Sequence, residues 1–255
     1  MITRLICFAI AIPTLTASAA NLAYDDAFQS AYSDGWQSGD NGGFGFSAWT
    51  IFVNNNPPSY FAGVFIGNPA SNAGISGMPT NSFGLYANPH AGNPFVNADR
   101  SLTGGGLSVG QTFRFLWGVN WDSNSAEGNK GFNLYVGGIS GTQVVNVNIG
   151  NSATITFNGN DTGFGYGTIA MLWEFTMVDP TTLSVQANDR DGTGTFTTSI
   201  TVPGGIDAFR LYASSMDFGS YREPYFNNFE VVPEPSTIAL AALGLAGLVY
   251  RRLRK

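Results

Sequence analysis

The stretch Thr112-Phe-Arg-Phe-Leu-Trp117 sets an aromatic residue at every second position, with Thr112 and Arg114 on the other side of the alternation. The same period recurs in Met171-Leu-Trp-Glu-Phe-Thr-Met177, where Glu174 and Thr176 alternate with large apolar residues. Successive side chains of a β-strand point to opposite faces, so this period predicts half-buried strands. Helical periodicity does not compete with it in either segment.

Further segments with a strand-like pattern are spread along the chain, and turns containing Gly, Asn and Pro separate them. They are Gly45 to Val53, Phe132 to Val136, Val145 to Ile149, Ala153 to Phe157, Leu183 to Ala187, Phe196 to Val202, Phe209 to Ala213 and Phe226 to Val232. Ten or so strands of this kind predict an all-β fold. We expect an antiparallel sandwich with the jelly-roll topology of the concanavalin type.

The N-terminal segment has the order of a secretory signal peptide. Arg4 is followed by an apolar run from Leu5 to Ile12 and then by small residues that end at Ala19 and Ala20. An N-terminal membrane anchor is the alternative, but the apolar run is too short to cross a bilayer. We therefore predict export, with cleavage after Ala19 or Ala20.

The C-terminal segment has three parts in a fixed order. Pro233-Glu-Pro235 comes first, an uncharged apolar stretch from Thr237 to Tyr250 follows, and a basic cluster ends the chain at Arg251, Arg252, Arg254 and Lys255. Prolines cannot continue a strand ladder, so the last strand must end before them. The apolar stretch predicts a short transmembrane helix, and the basic tail predicts a cytoplasmic end.

This tail resembles the PEP-CTERM sorting signal of Gram-negative bacteria. The likeness covers Val232 to Lys255 and rests on Val-Pro-Glu-Pro-Ser-Thr, an Ala/Leu/Gly-rich helix and the terminal arginines. The resemblance implies recognition by exosortase, a membrane-embedded transpeptidase, and association with exopolysaccharide or biofilm. An ordinary single-pass anchor is the alternative, because a short span and a basic stop are all that it needs.

The segment between these ends, residues 21–232, is long enough for one large β domain. Its first part, Tyr24-Asp-Asp-Ala27 with Gly35-Trp36 and Gly39-Asp-Asn-Gly-Gly43, resembles the start of many PEP-CTERM ectodomains. The domains predicted are thus a signal peptide (1–20), a sandwich ectodomain (21–232) and a sorting signal (233–255). The single cysteine, Cys7, lies in the signal peptide, which excludes a catalytic cysteine, a thiolate metal site and an internal disulfide from the mature protein.

The ectodomain is acidic. Of the 17 acidic residues only Glu234 lies outside it, whereas five of the 11 basic residues do, which leaves a net charge of −10. Nucleic-acid binding needs a basic footprint, so we expect no nucleic-acid partner.

No residue pattern predicts an enzyme. His90, the single histidine, lies in a turn-rich stretch without an adjacent acid. Glu174 is the best single candidate for a catalytic acid, but Thr176 and Val178 occupy the positions where a strand would carry a second carboxylate. We expect a non-enzymatic protein with no catalytic residues.

The sequence suggests two candidate binding sites. Asp189 and Asp191 precede Gly192 in an arrangement that can wrap a calcium ion, although Asp-Gly is also a hairpin turn signal, and we favour the hairpin. Trp121 lies in a polar loop and is the best candidate for stacking on a sugar ring. No other cofactor is expected.

The resulting hypothesis is an envelope or extracellular-matrix protein with a structural or adhesive role, sorted by exosortase and held briefly in the inner membrane. The alternative is a lectin-like glycan-binding module that uses the Trp121 loop, with or without calcium.

Overall fold

Two antiparallel β-sheets packed face to face form the fold in the computed structural model. The structure describes residues 21–55, 60–89, 92–120, 128–150, 154–165, 167–188 and 194–233. One compact unit spans Asn21–Glu234. The fold class predicted from the alternating segments, an all-β sandwich, is confirmed.

The first sheet has eight strands. They are β1 (Ala23–Asp25), β3 (Phe61–Gly67), β4 (Ser82–Asn88), β6 (Thr112–Gly118), β11 (Met171–Asp179), β12 (Thr182–Asn188), β13 (Thr195–Thr201) and β15 (Tyr225–Val232). Their order across the sheet is β13-β12-β11-β6-β15-β4-β3, and β1 also pairs with β15. The first and last strands are therefore neighbours, and the backbone N–H of Leu22 donates to the carbonyl oxygen of Val231 at 2.7 Å.

The second sheet has seven strands. They are β2 (Thr50–Asn54), β5 (Phe95–Ser101), β7 (Asn129–Val136), β8 (Thr142–Ile149), β9 (Thr156–Phe157), β10 (Asn160–Asp161) and β14 (Ala208–Ser214). Their order across the sheet is β10-β9-β8-β7-β14-β5-β2.

The helical elements within the described ranges are short. They are α1 (Pro69–Ala73) and two 3-10 turns, Ser30–Tyr32 and Ser220–Arg222. The Asn68 side chain caps α1 by accepting from the backbone N–H of Ala70 and of Ser71. No helix among the residues described has the length and apolar character needed to cross a membrane.

An aromatic core fills the space between the sheets. The inward side chains of β6 and β11 that define the alternating pattern are at most 1% exposed. Phe115 of the first sheet meets Phe132 of the second edge to face, with ring centroids 4.8 Å apart. Because each such ring removes a large apolar surface from water, this layer is the main source of stability for the sandwich.

A buried ion pair fastens the N-terminal segment to the second sheet. Arg100 points inward from β5 and pairs with Asp25 of β1, and both side chains are completely buried. Arg100 also donates to the carbonyl oxygen of Ser47 at 2.6 Å, and its guanidinium lies 4.9 Å from the Trp49 ring centroid. Burial raises the pKa of Tyr32, so its hydroxyl keeps the proton that it donates to Asp25. The Tyr24-to-Ala27 and Gly39-to-Gly43 segments thus gather around one cation.

Several strand boundaries differ from the prediction. The segment predicted as a strand from Gly45 to Val53 becomes regular only at Thr50, because the residues before it form isolated bridges and turns around Arg100. The segment from Ala153 to Phe157 contributes only the two residues of β9, and residues 151–153 lie outside the described ranges. Five strands that the alternation did not reveal are present, namely β1, β3, β4, β5 and the two-residue β10.

Candidate functional site

The outer face of the seven-stranded sheet carries a concentration of polar side chains. On β14 the residues Phe209, Leu211 and Ala213 are buried, whereas Arg210 and Tyr212 between them are half-exposed. On β8 the strict alternation Val145-Asn-Val-Asn-Ile149 turns its valines inward and its asparagines outward. Because of this alternation, each strand contributes apolar side chains to the core and polar side chains to the outer face of the sheet.

Strand register aligns these outward residues in two rows that cross five strands. One row runs through Phe52, Asn97, Tyr212, Gly131 and Asn148, which are paired in succession from β2 to β8. Neighbouring strands lie about 4.8 Å apart, so a row of five strands extends about 19 Å.

The adjacent row holds the charged residues of this face. It runs through Thr50, Asp99, Arg210, Asn133 and Asn146 in the same strand order. The two rows together offer a polar strip that crosses the strands.

A shallow open hollow of about 320 Å³ lies between these rows. Seven residues line it, five of which are asparagines; they are Asn97, Asn129, Asn133, Asn146, Asn148, Arg210 and Tyr212. We call this set the asparagine hollow. Its side chains come from β5, β7, β8 and β14, so it exists only when the sheet is assembled.

A glycine makes room for the central tyrosine. A Cβ atom on Gly131 would lie 2.0 Å from the carbonyl oxygen of Val147 and 3.1 Å from the hydroxyl of Tyr212. The absence of that atom lets the Tyr212 side chain cross β7 and place its hydroxyl 3.0 Å from the Val147 carbonyl oxygen. Burial raises the pKa of Tyr212, so its hydroxyl stays protonated and can donate.

Hydrogen bonds among the asparagines hold the floor of the hollow in place. The side-chain amide of Asn146 donates to Asn133 at 2.7 Å and to Tyr212 at 3.1 Å, and Asn148 donates to Asn129 at 2.9 Å. Each amide has two donor hydrogens and an acceptor oxygen with two lone pairs, so these bonds use only part of the capacity. The hollow is thus pre-organised and still offers donors and acceptors to a ligand.

Arg210 is held by the carboxylate of Asp99, its partner on the neighbouring strand. Its Nε and Nη2 atoms donate to the two oxygens of Asp99 at 2.6 and 2.7 Å, and these hydrogen bonds raise the pKa of Arg210 above its usual range. A bidentate pair fixes the guanidinium plane and leaves three of its five N–H donors for other partners. Because the charges of Arg210 and Asp99 cancel, this part of the face offers oriented N–H donors without a net charge.

An exposed ring lies beside the hollow. Phe52 on the edge strand β2 is 55% exposed and is paired directly with Asn97. Among the described residues the Asn97 side chain makes no hydrogen bond. An apolar ring next to a free amide is suited to a ligand that has both an apolar face and hydroxyl groups.

The side chains that line the hollow offer hydrogen-bonding groups. The seven described lining residues include no carboxylate, thiol or imidazole. Within the described ranges no cluster of three or more His, Cys, Asp or Glu side chains is placed to hold a metal ion. What the hollow offers is an array of neutral amides, one hydroxyl and one paired guanidinium, which suits an uncharged polar ligand.

The binding residues proposed from sequence lie outside the described residues, and so does the single histidine. These residues are His90, Trp121, Asp189 and Asp191. Of the sorting motif, Pro233 directly follows β15, whereas Glu234 and Pro235 lie outside the described ranges, as do Arg251, Arg252, Arg254 and Lys255. Calcium binding and sugar stacking at these positions stay predictions.

The structure does place the other tryptophans and the candidate acid. Four tryptophans belong to the core and are at most 3% exposed, namely Trp36, Trp49, Trp117 and Trp173. Glu174 lies on the outer face of the eight-stranded sheet, where Nη1 of Arg114 is 3.5 Å from its carboxylate. Arg114 also donates to Glu230 at 2.6 Å, so Glu174 is part of a surface ion-pair group.

The residues of the asparagine hollow were missed by sequence reasoning, which followed only the apolar half of each alternating strand. The signal available was the polar half, in the two asparagines of β8 and in Arg210 and Tyr212 of β14. Asn97 and Asn129 had no comparable signal, because only strand order brings them to the same place.

Comparison with solved structures finds several that align with this chain at low sequence identity. A carbohydrate esterase from the Shiga toxin-encoding bacteriophage phi24B aligns with a TM-score of 0.46 at 12% identity, over 85% of this chain and 100% of that chain. The carbohydrate recognition domain of Emp47p aligns with a TM-score of 0.42 at 12% identity, over 82% and 99% of the two chains. A protein of unknown function from Shewanella oneidensis MR-1 aligns with a TM-score of 0.43 at 11% identity, over 91% and 98%.

These similarities concern the fold, and at such low identities and TM-scores the activities of those proteins do not carry over to this chain. No curated protein matches the chain in sequence.

The C-terminal segment matches a known sorting motif. Residues 231–255 match the family model of the PEP-CTERM protein-sorting motif. The chain therefore carries this sorting motif, as its resemblance in sequence indicated. A PEP-CTERM motif implies export to the cell-envelope surface and processing by exosortase.

Proposed function

We propose that this protein is a non-enzymatic, adhesive component of the cell envelope or extracellular matrix that binds exopolysaccharide through the asparagine hollow. The sorting motif at residues 231–255 supports export to the envelope. A signal peptide removed near Ala20, a brief stay in the inner membrane through the apolar tail, and a role in biofilm complete the proposal.

The observation that carries the proposal is the asparagine hollow. Matrix polysaccharides are extended chains of polar rings, with hydroxyl groups at their rims and weakly apolar faces. The strip of about 19 Å that crosses five strands offers amide groups for such hydroxyls, and Phe52 offers an exposed ring for a sugar face. Because the single cation that lines the hollow is paired with Asp99, we expect neutral glycans to be favoured over acidic ones.

The proposal of a non-enzymatic role rests on the residues at the site. Most glycosidases cleave the glycosidic bond with two carboxylates that flank it. Asp99 is bound at both oxygens by Arg210, and Glu174 lies on the opposite sheet beside Arg114. We further propose the concanavalin-type jelly-roll topology for the sandwich, which the pairing of β1 with β15 supports.

The test is a binding assay with the mature protein recovered from envelopes of a host that carries exosortase. It is applied to an array of neutral and acidic polysaccharides, including dextran and alginate. We expect binding to neutral polysaccharides that persists in EDTA. Loss of binding in EDTA would instead favour a calcium site at Asp189 and Asp191.

Matched variants locate the binding site. Phe52→Ala should weaken binding about tenfold, which corresponds to about 1.4 kcal/mol, whereas Phe61→Ala should leave it unchanged. The two rings are 55% and 54% exposed on edge strands of different sheets. Asn97→Ala should likewise weaken binding, with the exposed strand residue Asn188 as its control. Equal effects of Phe52→Ala and Phe61→Ala, or no binding to any polysaccharide, would refute the proposed function.

A further inference from the structure

Strand β13 forms an open edge of the eight-stranded sheet. It is the terminal strand in the sheet order, and among the described residues its only ladder partner is β12. All seven residues from Thr195 to Thr201 pair with β12 in continuous register, without a bulge. Every second residue of β13 is exposed, beginning with Thr195. One side of a regular strand therefore presents backbone N–H and C=O groups without a strand partner.

This edge lacks the devices that normally prevent pairing with another strand. Its sequence, Thr195-Phe-Thr-Thr-Ser-Ile-Thr201, contains no charged residue and no proline. Its neighbour, Thr182-Leu-Ser-Val-Gln-Ala-Asn188, contains none either. Soluble proteins usually protect a long flat edge with lysine, proline, a bulge or a covering segment, so an unprotected edge with strong β-forming residues is a template for another strand.

The other edges of the sandwich differ from β13. On the opposite edge of the same sheet, Ala62 and Gly63 of β3 are buried. In the second sheet β10 has two residues and β2 has five. Among the described strands, β13 is thus the edge that combines length, regular register and exposure.

We propose that β13 pairs with β13 of a second copy of this chain, in antiparallel orientation about a two-fold axis, and so joins two eight-stranded sheets into one. A two-fold axis perpendicular to the sheet keeps outward residues opposite outward residues. Pairing all seven residues then places Thr198 opposite its own symmetry mate and Thr197 opposite Ser199 of the second copy.

The chemistry of the edge selects a second copy of this chain as the partner. Opposing threonine and serine hydroxyls form favourable cross-strand pairs, and this strand supplies both members of each pair. The ectodomain carries a net charge of −10, so two copies repel one another over most of their surfaces. Strands β12 and β13 contain no charged residue, so the repulsion between two copies is weakest along this edge. A single strand pair buries less surface than the interface of a permanent dimer does. We therefore expect the two copies to associate to an extent that depends on their local concentration.

The first experiment uses disulfide formation in intact envelopes. The native Cys7 lies in the predicted signal peptide, so an introduced cysteine is the sole thiol of the mature protein. A chain with Thr197→Cys and a differently tagged chain with Ser199→Cys are expressed together and exposed to a mild oxidant. We expect mixed disulfide dimers to exceed both like pairs. Thr50→Cys, on the edge strand of the other sheet, serves as the control and should form few disulfides. A predominance of like pairs, or no more disulfide than the control, would overturn the pairing.

The second experiment compares two double variants that differ only in the charge introduced at position 199. The variant Thr197→Lys/Ser199→Lys brings lysine opposite lysine twice, whereas Thr197→Lys/Ser199→Glu brings lysine opposite glutamate twice. Sedimentation of the purified mature proteins should show a monomer for the first variant and a dimer at least as tight as wild type for the second. Identical β-type circular dichroism would establish that both are folded. If both variants sediment like wild type, β13 is not the interface.

Discussion

The carboxyl group of Glu223 lies in an environment that disfavours its ionised form. It follows the 3-10 turn Ser220–Arg222 and is half-buried, and the hydroxyl of Tyr225 lies 3.3 Å from its Oε2 atom. The neighbouring Arg222 is paired with Asp217 at 2.8 Å. Burial raises the pKa of Glu223 from 4.5 to about 7, and the hydrogen bond from Tyr225 offsets only part of that rise. The folded protein therefore favours the protonated carboxyl.

This environment predicts a pH-dependent contribution to stability. A carboxyl whose pKa is higher in the folded state stabilises the fold fully below about pH 4.5, and this contribution is lost as the pH rises to about 7. Because the group is partly exposed, we expect a loss of about 1–2 kcal/mol. Glu223→Gln should unfold at higher denaturant concentration than wild type at pH 8 and at the same concentration at pH 4.

Glu230→Gln is the control for this measurement, because Glu230 is paired with Arg114 at 2.6 Å and should show no gain at pH 8. A Glu223→Gln variant that matches wild type at both pH values would show that Glu223 ionises normally.

Strand β15 changes neighbours at a bulge. Its first residues pair with β4, whereas Phe229 to Val231 pair with β1, and the register with β6 shifts between Asn227 and Glu230. The Asn227 side chain donates to the carbonyl oxygen of Asn81 at 2.5 Å and accepts from the backbone N–H of Ala27 at 3.1 Å. The inserted residue turns Phe226 and Phe229 to the same side, and both are fully buried.

The bulge requires a left-handed backbone at Asn228, whose φ is 54°. Asparagine tolerates this conformation better than a β-branched residue does. We expect Asn228→Val to lower the free energy of unfolding by about 1–2 kcal/mol and Asn228→Gly to change it by less than about 0.5 kcal/mol. Denaturant unfolding of the two variants beside wild type measures the difference. Equal stability of the valine and glycine variants would show that the φ at this position imposes no strain.

The sandwich ends directly at the sorting motif. Val232 is the last residue of β15, and Pro233 follows it. The motif at residues 231–255 implies processing by exosortase, and we propose that the enzyme recognises the Pro-Glu-Pro segment. Two prolines stiffen an extended backbone, which suits presentation to an enzyme.

Replacing Pro233, Glu234 and Pro235 with alanine should block processing and leave membrane insertion intact, because the apolar length and the basic tail are unchanged. We expect an uncleaved, membrane-bound form to accumulate in a host carrying exosortase, measured by mass and by fractionation of the envelope. Deleting residues 251–255 should have a different effect, namely weaker retention in the membrane. An alanine variant that is processed and displayed like wild type would favour a plain membrane anchor.

Local patterns in the sequence were sufficient to predict several strands and the sorting motif. The alternation in β6, β8 and β11 predicts strands because each side chain's direction depends only on its own position in the strand. The sorting motif is recognisable for a similar reason, since its parts follow one another directly. Strand β5 was missed because Arg100 occupies an inward position, where the pattern expects an apolar residue.

Tertiary structure alone decided which strands are neighbours, and with that the location of the candidate site. Asn97 and Asn148 are far apart in the chain and line one hollow because β14 and β7 lie between their strands. Asp25 stabilises Arg100 inside the core for the same reason, although nothing near Arg100 in the sequence provides a counter-ion. Hydrogen bonds between strands form at any sequence separation, so register and strand order depend on the packing of the whole sandwich rather than on local sequence.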